Sequence, residues 1–168
     1  MPAQRRAFLL AATGLPLLAP ALLAGCAAPP ARPPAPGAHW SGRLALQVDG
    51  DAQRSFSAGF DLRGSPQEGE LELTTPLGST AARLQWAPGR ARLQAPGQPE
   101  RQAASLDELA AQATGTPLPV AALFDWLAGI PTPADGWQAD LSQRAQGRLR
   151  ARRLGTPAAD LRLVLEQP

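Results

Sequence analysis

Glu68, Glu70 and Glu72 recur at every second position, so an extended chain puts all three carboxylates on one face. Three carboxylates in a row are a calcium-binding chemistry. Alternating with Leu71 and Leu73, however, they read as the wet side of a strand. His39 is the sole histidine and reads as a solvated linker residue at the tether boundary rather than a general base. Asp107 and Glu108 fall in the first turn of an expected helix, where the macrodipole accounts for them. No Gly-x-Ser-x-Gly elbow or Gly-x-Gly-x-x-Gly fingerprint occurs. The chain has no lysine, which rules out a Walker-type phosphate loop and a Schiff-base enzyme. The expectation is a protein that is not an enzyme and holds no metal.

The one strong chemical motif is Leu23-Ala24-Gly25-Cys26, which resembles a bacterial lipobox. Small residues at 24 and 25 suit a peptidase cleft, and the Cys26 thiol is the atom that accepts diacylglycerol. Cys26 is the only cysteine, so it has no disulfide partner in the chain and cannot build a zinc site. Arg5 and Arg6 ahead of "AFLLAATGLPLLAPALLAGC" give the charged and apolar regions of a signal peptide. Gly14, Pro16 and Pro20 make that run a poor permanent span. "RRAFL" also resembles a twin-arginine signal, and the export route stays open. The expected division is a signal peptide at 1–25, a lipidated Pro-rich tether at 26–38 and a domain at 39–168. The tether "AAPPARPPAPGA" carries five prolines and reaches roughly 37 Å when extended.

Charge follows from that cleavage. The full chain has 16 Arg against 14 Asp plus Glu, and losing Arg5 and Arg6 leaves a formally neutral protein. The basic isoelectric point of the precursor is therefore no argument for nucleic-acid binding. From Leu141 onward six Arg face only Asp160 and Glu166. Such a run is either a solvated strand face or a surface for anionic lipid or an acidic partner.

The elements that position these residues are strands. "WSGRLALQV", "SFSAGFDLR", "GELELTT", "TAARLQW", "RARLQA", "GRLRARRLG" and "ADLRLVLEQ" each alternate apolar and polar. Period two in segment after segment predicts an antiparallel sheet with one dry and one wet face. Two helices are expected to cover it. "SLDELAAQATG" begins with a Ser105/Glu108 capping box and closes at Gly115. "PVAALFDWLAG" has Pro119 in its first turn and is apolar nearly all round, so it is buried or faces a lipid-like ligand. Two helices are thin cover for seven or more strands, and Ala58, Ala82, Ala91 and Ala95 leave space on the dry face. The fold class is mostly β with two or three helices. From the pattern, either a packed core or an apolar hollow inside a curved sheet fits. Thr75-Pro76-Leu77-Gly78 suits a type I turn with Leu77 outward, although a leucine folded back into the core fits the spacing equally.

Gly42-Arg43, "TPLGST" at 75–80, and "TGTPLPVAALFDWLAGIP" at 114–131 lie in that order behind a lipobox. Together they resemble the LolB family of outer-membrane lipoprotein receptors, over essentially everything after the tether. The resemblance implies an open, curved antiparallel half-barrel with a helical lid enclosing an apolar cavity. It implies that acyl chains lie against Leu44, Leu46, Phe56, Phe60, Leu71, Leu73, Leu84, Trp86, Leu123, Trp126 and Leu127. It implies acylated lipoprotein cargo, handed over by a LolA-like periplasmic carrier and inserted into the outer membrane. Pro76, Leu77 and Gly78 would form the membrane-insertion loop. Cys26 would carry diacylglycerol and an N-acyl group as the anchor at the periplasmic face, with no other cofactor, and Ala27 is consistent with outer-membrane residence. A monomer is expected. The competing expectations are an envelope-assembly scaffold lipoprotein that binds protein partners and a lipocalin-type binder of a small apolar ligand.

Overall fold

A computed structural model describes residues 37–166; the signal peptide, Cys26 and nearly all of the tether lie outside them. The strands are β1 (Ala38–Val48), β2 (Phe56–Gly64), β3 (Gly69–Thr74), β4 (Thr80–Ala87), β5 (Arg90–Gln94), β6 (Arg101–Ala103), β7 (Trp137–Asp140), β8 (Arg148–Arg153) and β9 (Ala159–Leu165). Helices α1 (Leu106–Thr114) and α2 (Val120–Ala128) fall between β6 and β7. All nine strands form one antiparallel sheet in the order β6-β5-β4-β3-β2-β1-β9-β8-β7. The sheet does not close, because β6 and β7 are its two edges. This is the expected mostly-β fold with two helices and an open, curved sheet.

Register turns the period-two pattern into continuous apolar rows. Leu62, Leu71, Leu84 and Leu93 stand opposite one another across four strands. Ala151, Leu161, Leu46 and Phe56 form a second row, and Leu149, Leu163, Leu44 and Ala58 a third. A slip of one residue in any strand would turn its leucines to water, so the rows fix the register. β1 passes very close to β9 at Gly42: a Cβ there would lie 2.1 Å from the Val164 carbonyl oxygen, and the residue has φ +153°. Only glycine fits that approach.

The helices begin and end where the capping chemistry dictates. Ser105 Oγ accepts from Glu108 N–H at 3.1 Å, while Glu108 returns its carboxylate to the N–H of Ala104 at 3.1 Å, one residue earlier than the usual reciprocal bond. Gly115 and Gly129 close α1 and α2. Asp107, in the first turn of α1, accepts from Val120 N–H at 3.2 Å and so caps α2 as well. Arg144 Nε donates to the Leu127 carbonyl at 2.7 Å and places a cation at the α2 C-terminus. α1 packs over β5 and β6.

On the outer face the charges pair across strands. Glu72 accepts from Arg83 at 2.8 Å and from Thr80 at 2.9 Å, and those bonds hold its carboxyl below the usual range. Glu70 accepts from Gln85 at 2.9 Å. His39 lies in β1, exposed, 2.9 Å from Asp61. For Glu70 and Glu72 the wet-face reading is the one the sheet realises; Glu68 falls in the turn before β3, and His39, expected in the linker, is exposed within β1.

Candidate functional site

Between the sheet and the two helices lies an apolar hollow of about 550 Å³. Its floor is the leucine rows: Leu44 and Leu46 of β1, Leu71 and Leu73 of β3, Leu84 and Trp86 of β4, and Leu161 and Leu163 of β9. Its roof is Leu106, Ala110 and Ala113 of α1 with Val120, Leu123 and Phe124 of α2. Ala58 and Ala82 present only methyl groups where a longer side chain would fill the space. Among the described residues, Arg101 is the one charged residue on this lining. The volume falls within the range of small-molecule sites, roughly 300–1,000 Å³.

Aromatic rings prop the roof. Phe124 sits edge-on between two indoles, 5.7 Å from Trp40 and 6.3 Å from Trp86. Each of three indole N–H groups is anchored to a backbone carbonyl: Trp86 to Ser65 at 2.9 Å, Trp126 to Thr132 at 2.8 Å, and Trp137 to Pro117 at 3.0 Å. The helix ends are also pinned, at Asp107 and Arg144, so α2 cannot settle onto the small residues beneath it.

Eight of the eleven residues expected to line the cavity do so: Leu44, Leu46, Phe56, Leu71, Leu73, Leu84, Trp86 and Leu123. Phe60, Trp126 and Leu127 do not. Phe60 is buried in the solid part of the core, at 4% exposure. Trp126 and Leu127 are fully buried in packed core: Leu127, one turn beyond Leu123 on the same face, lies past the hollow, and Trp126 lies off the flank of that face. Leu161, Leu163, Leu106 and Ala110 line the hollow and were not singled out; their place in alternating or helical runs was the available signal.

The hollow opens at one end of the sheet. Its exposed lining residues are Phe56 and Ser57 at the start of β2, Pro76 in the β3–β4 turn, Gln98 and Arg101 before and at the start of β6, and Ala113 near the end of α1. The β3–β4 turn stands at this mouth. Gly78 N–H donates to the Thr75 carbonyl at 2.9 Å and Thr75 N–H to the Ser79 carbonyl at 2.8 Å, with Thr75 Oγ1 accepting from Ser79 N–H at 3.2 Å. No non-glycine residue has a positive φ among the described residues, and Gly78 has φ +84°. The turn is therefore type I followed by a left-handed glycine, a three-residue connection that matches strand twist. Leu77 is left 94% exposed. Of the two orientations that the spacing permits, this is the outward one.

A larger groove of about 680 Å³ crosses the outer face, but its lining is mixed, with Asp61, Arg63 and Glu72 beside Leu44, Phe60 and Pro76. Arg63 pairs with Asp61 at 2.8 Å and Glu72 with Arg83 at 2.8 Å, so ion pairs run through it. No helix among the described residues is long and apolar enough to cross a membrane.

The family model described as outer membrane lipoprotein LolB matches residues 38–156, which include β1 to β8 and both helices. Curated relatives carry the name outer-membrane lipoprotein LolB. That of Bordetella petrii is 37% identical, over 73% of this chain and 74% of its own length. That of Ralstonia nicotianae is 39% identical, over 76% of this chain and 65% of its own. That of Bordetella pertussis is 36% identical, over 88% of each. The chain belongs to the LolB family of outer-membrane lipoproteins.

Proposed function

We propose that this protein receives acylated lipoproteins from a LolA-like periplasmic carrier, shelters their acyl chains in the hollow and releases them into the outer membrane. The observation that carries this reading is the hollow itself: about 550 Å³, with Arg101 as its one charged lining residue among the described residues and an exposed leucine on a rigid turn at the mouth. Exposing a sixteen-carbon chain to water costs on the order of 12 kcal/mol, at about 0.8 kcal/mol per methylene. Transfer therefore runs from one dry surface to the next, with no chemical bond made or broken. A hollow roofed by propped helices over small residues binds acyl chains well, yet less well than a bilayer, and that difference drives release. Cys26 would carry the diacylglycerol and N-acyl anchor, and two or more chains hold the receptor permanently at its membrane.

Native mass spectrometry of the full-length chain, extracted with mild detergent, tests the reading. Co-purifying acylated protein is the expected result. A small apolar molecule in its place would favour a lipocalin-type binder. A non-acylated protein partner, with the hollow empty, would favour an envelope scaffold.

A further inference from the structure

Five large hydrophobic side chains stand exposed among the described residues: Phe56, Leu77, Ile130, Leu154 and Val164. Val164 faces outward from β9, and Ile130 follows the C-terminus of α2. The other three leave the sheet at one end. β1 ends at Val48, opposite Ala159, and Ala159 pairs with Arg153, the last residue of β8. The β8–β9 turn that holds Leu154 thus lies beside the β1–β2 turn that leads into Phe56. The β2–β3 turn, at Gly64 and Gly69, is at the opposite end, so the β3–β4 turn with Leu77 returns to the first. That end is the mouth of the hollow.

Leu154 is 66% exposed on a turn whose backbone is fixed. Its N–H donates to the Gly136 carbonyl at 3.1 Å, and the Arg153 guanidinium donates to the Pro157 carbonyl. Next to it stands a loosely held cation. Asp160 pairs with Arg150 and, at 3.1 Å, with Arg162, and Asp140 stands opposite Arg150 on the neighbouring strand, but Arg152 is 3.9 Å from Asp160 and its side chain is 56% exposed. Asp135, adjacent to Gly136, and Asp49, whose N–H donates to the Ala158 carbonyl, are further acids at this end. A leucine held outward on a pinned turn beside an exposed guanidinium group fits the interface of a bilayer with anionic headgroups.

We propose that the β8–β9 turn is a second membrane contact, with Leu154 entering the acyl boundary and Arg152 meeting headgroup phosphates. Leu77 and Leu154 then rest on the bilayer on either side of the β1–β2 turn and set the mouth against the membrane. This rests on the reading of the mouth end as the membrane-facing end.

The test uses the full-length lipidated chain in phosphatidylcholine vesicles with and without phosphatidylglycerol. An environment-sensitive dye is placed by Leu77→Cys or, separately, Leu154→Cys; acylated Cys26 is blocked, and the unsubstituted chain carried through the same labelling reports any residual dye there. Blue-shifted emission and quenching by lipid-borne spin labels are expected at both positions. A shift at 77 with aqueous emission at 154 overturns the second contact and leaves the first standing. Aqueous emission at both overturns the membrane-facing end itself. Arg152→Gln in the 154-labelled chain is expected to weaken insertion about fivefold in phosphatidylglycerol vesicles and little in neutral ones. Equal insertion in both refutes the headgroup contact. A shift at 154 that needs an added carrier protein, rather than lipid, refutes the proposal in favour of a protein interface.

Discussion

Replacing Leu77 by glutamate isolates the last step of delivery. At 94% exposure the side chain makes almost no contact within the fold, and the turn is held by backbone bonds and by Thr75 Oγ1. Folding stability should therefore change by no more than about 0.5 kcal/mol. In lipid the same leucine gains about 1.5–3 kcal/mol. Leu77→Glu forfeits that gain, which corresponds to a loss of about ten- to a hundredfold in the occupancy of the membrane-docked state. The assay is transfer of acylated cargo from the purified complex to liposomes, read as cargo recovered with the vesicles over time. Cargo binding before vesicles are added should match the native chain, because Leu77 is not on the lining of the hollow. A variant that folds, holds cargo and delivers it at the native rate would remove Leu77 from the mechanism. Leu77→Ser separates loss of the apolar contact from repulsion by anionic headgroups.

Ala82→Phe places a ring in the hollow, and each pair of methylenes it displaces from an acyl probe should weaken binding about tenfold, read by fluorescence displacement with the fold checked by circular dichroism. The Arg150 guanidinium, with Arg162, holds the Asp160 carboxyl at about 2, below its ordinary 3.8. A carboxylate with a lowered folded-state pKa stabilises above its unfolded value, so about 2 kcal/mol is present at neutral pH and is lost as pH falls from about 4 to about 2. Asp160→Asn should be less stable by that amount in urea at pH 7 and should converge with the native chain near pH 2. Ser105→Ala removes the acceptor for Glu108 N–H and should lower the urea midpoint by the equivalent of about 1 kcal/mol.

Most strands were legible because each carries its own alternation. Leu44, Leu46 and Val48, or Leu161, Leu163 and Leu165, announce a buried face without help from their neighbours. β6 and β7 were not, because Arg101–Ala103 has no apolar rhythm and Trp137–Asp140 buries Trp137 alone; both are edge strands defined by the neighbour they bond to. The helix limits were readable from Ser105, Gly115 and Gly129, which act locally. The extent of the hollow along α2 was not, because a helix with apolar residues on every side gives no sign of which of them meet empty space. Trp126 and Leu127 therefore lie in packed core rather than on the lining. The reach of Arg144 to the Leu127 carbonyl, across 17 residues of sequence, is likewise a property of the assembled chain.

The seam between β1 and β9 bears on the order of assembly. Residues Ala38–Leu46 of β1 bond on one side to β2, which follows directly, and Gly42–Val48 bond on the other to Ala159–Leu165 of β9. A chain that emerges N-terminus first presents β1 with one ladder partner at once and must wait for the other until on the order of a hundred more residues have appeared. During that interval the backbone N–H and C=O groups along this edge of β1 are unpaired and adhesive. The sheet is therefore complete only once β9 arrives beside β1, and a chain halted before Ala159 leaves that edge of β1 unpaired.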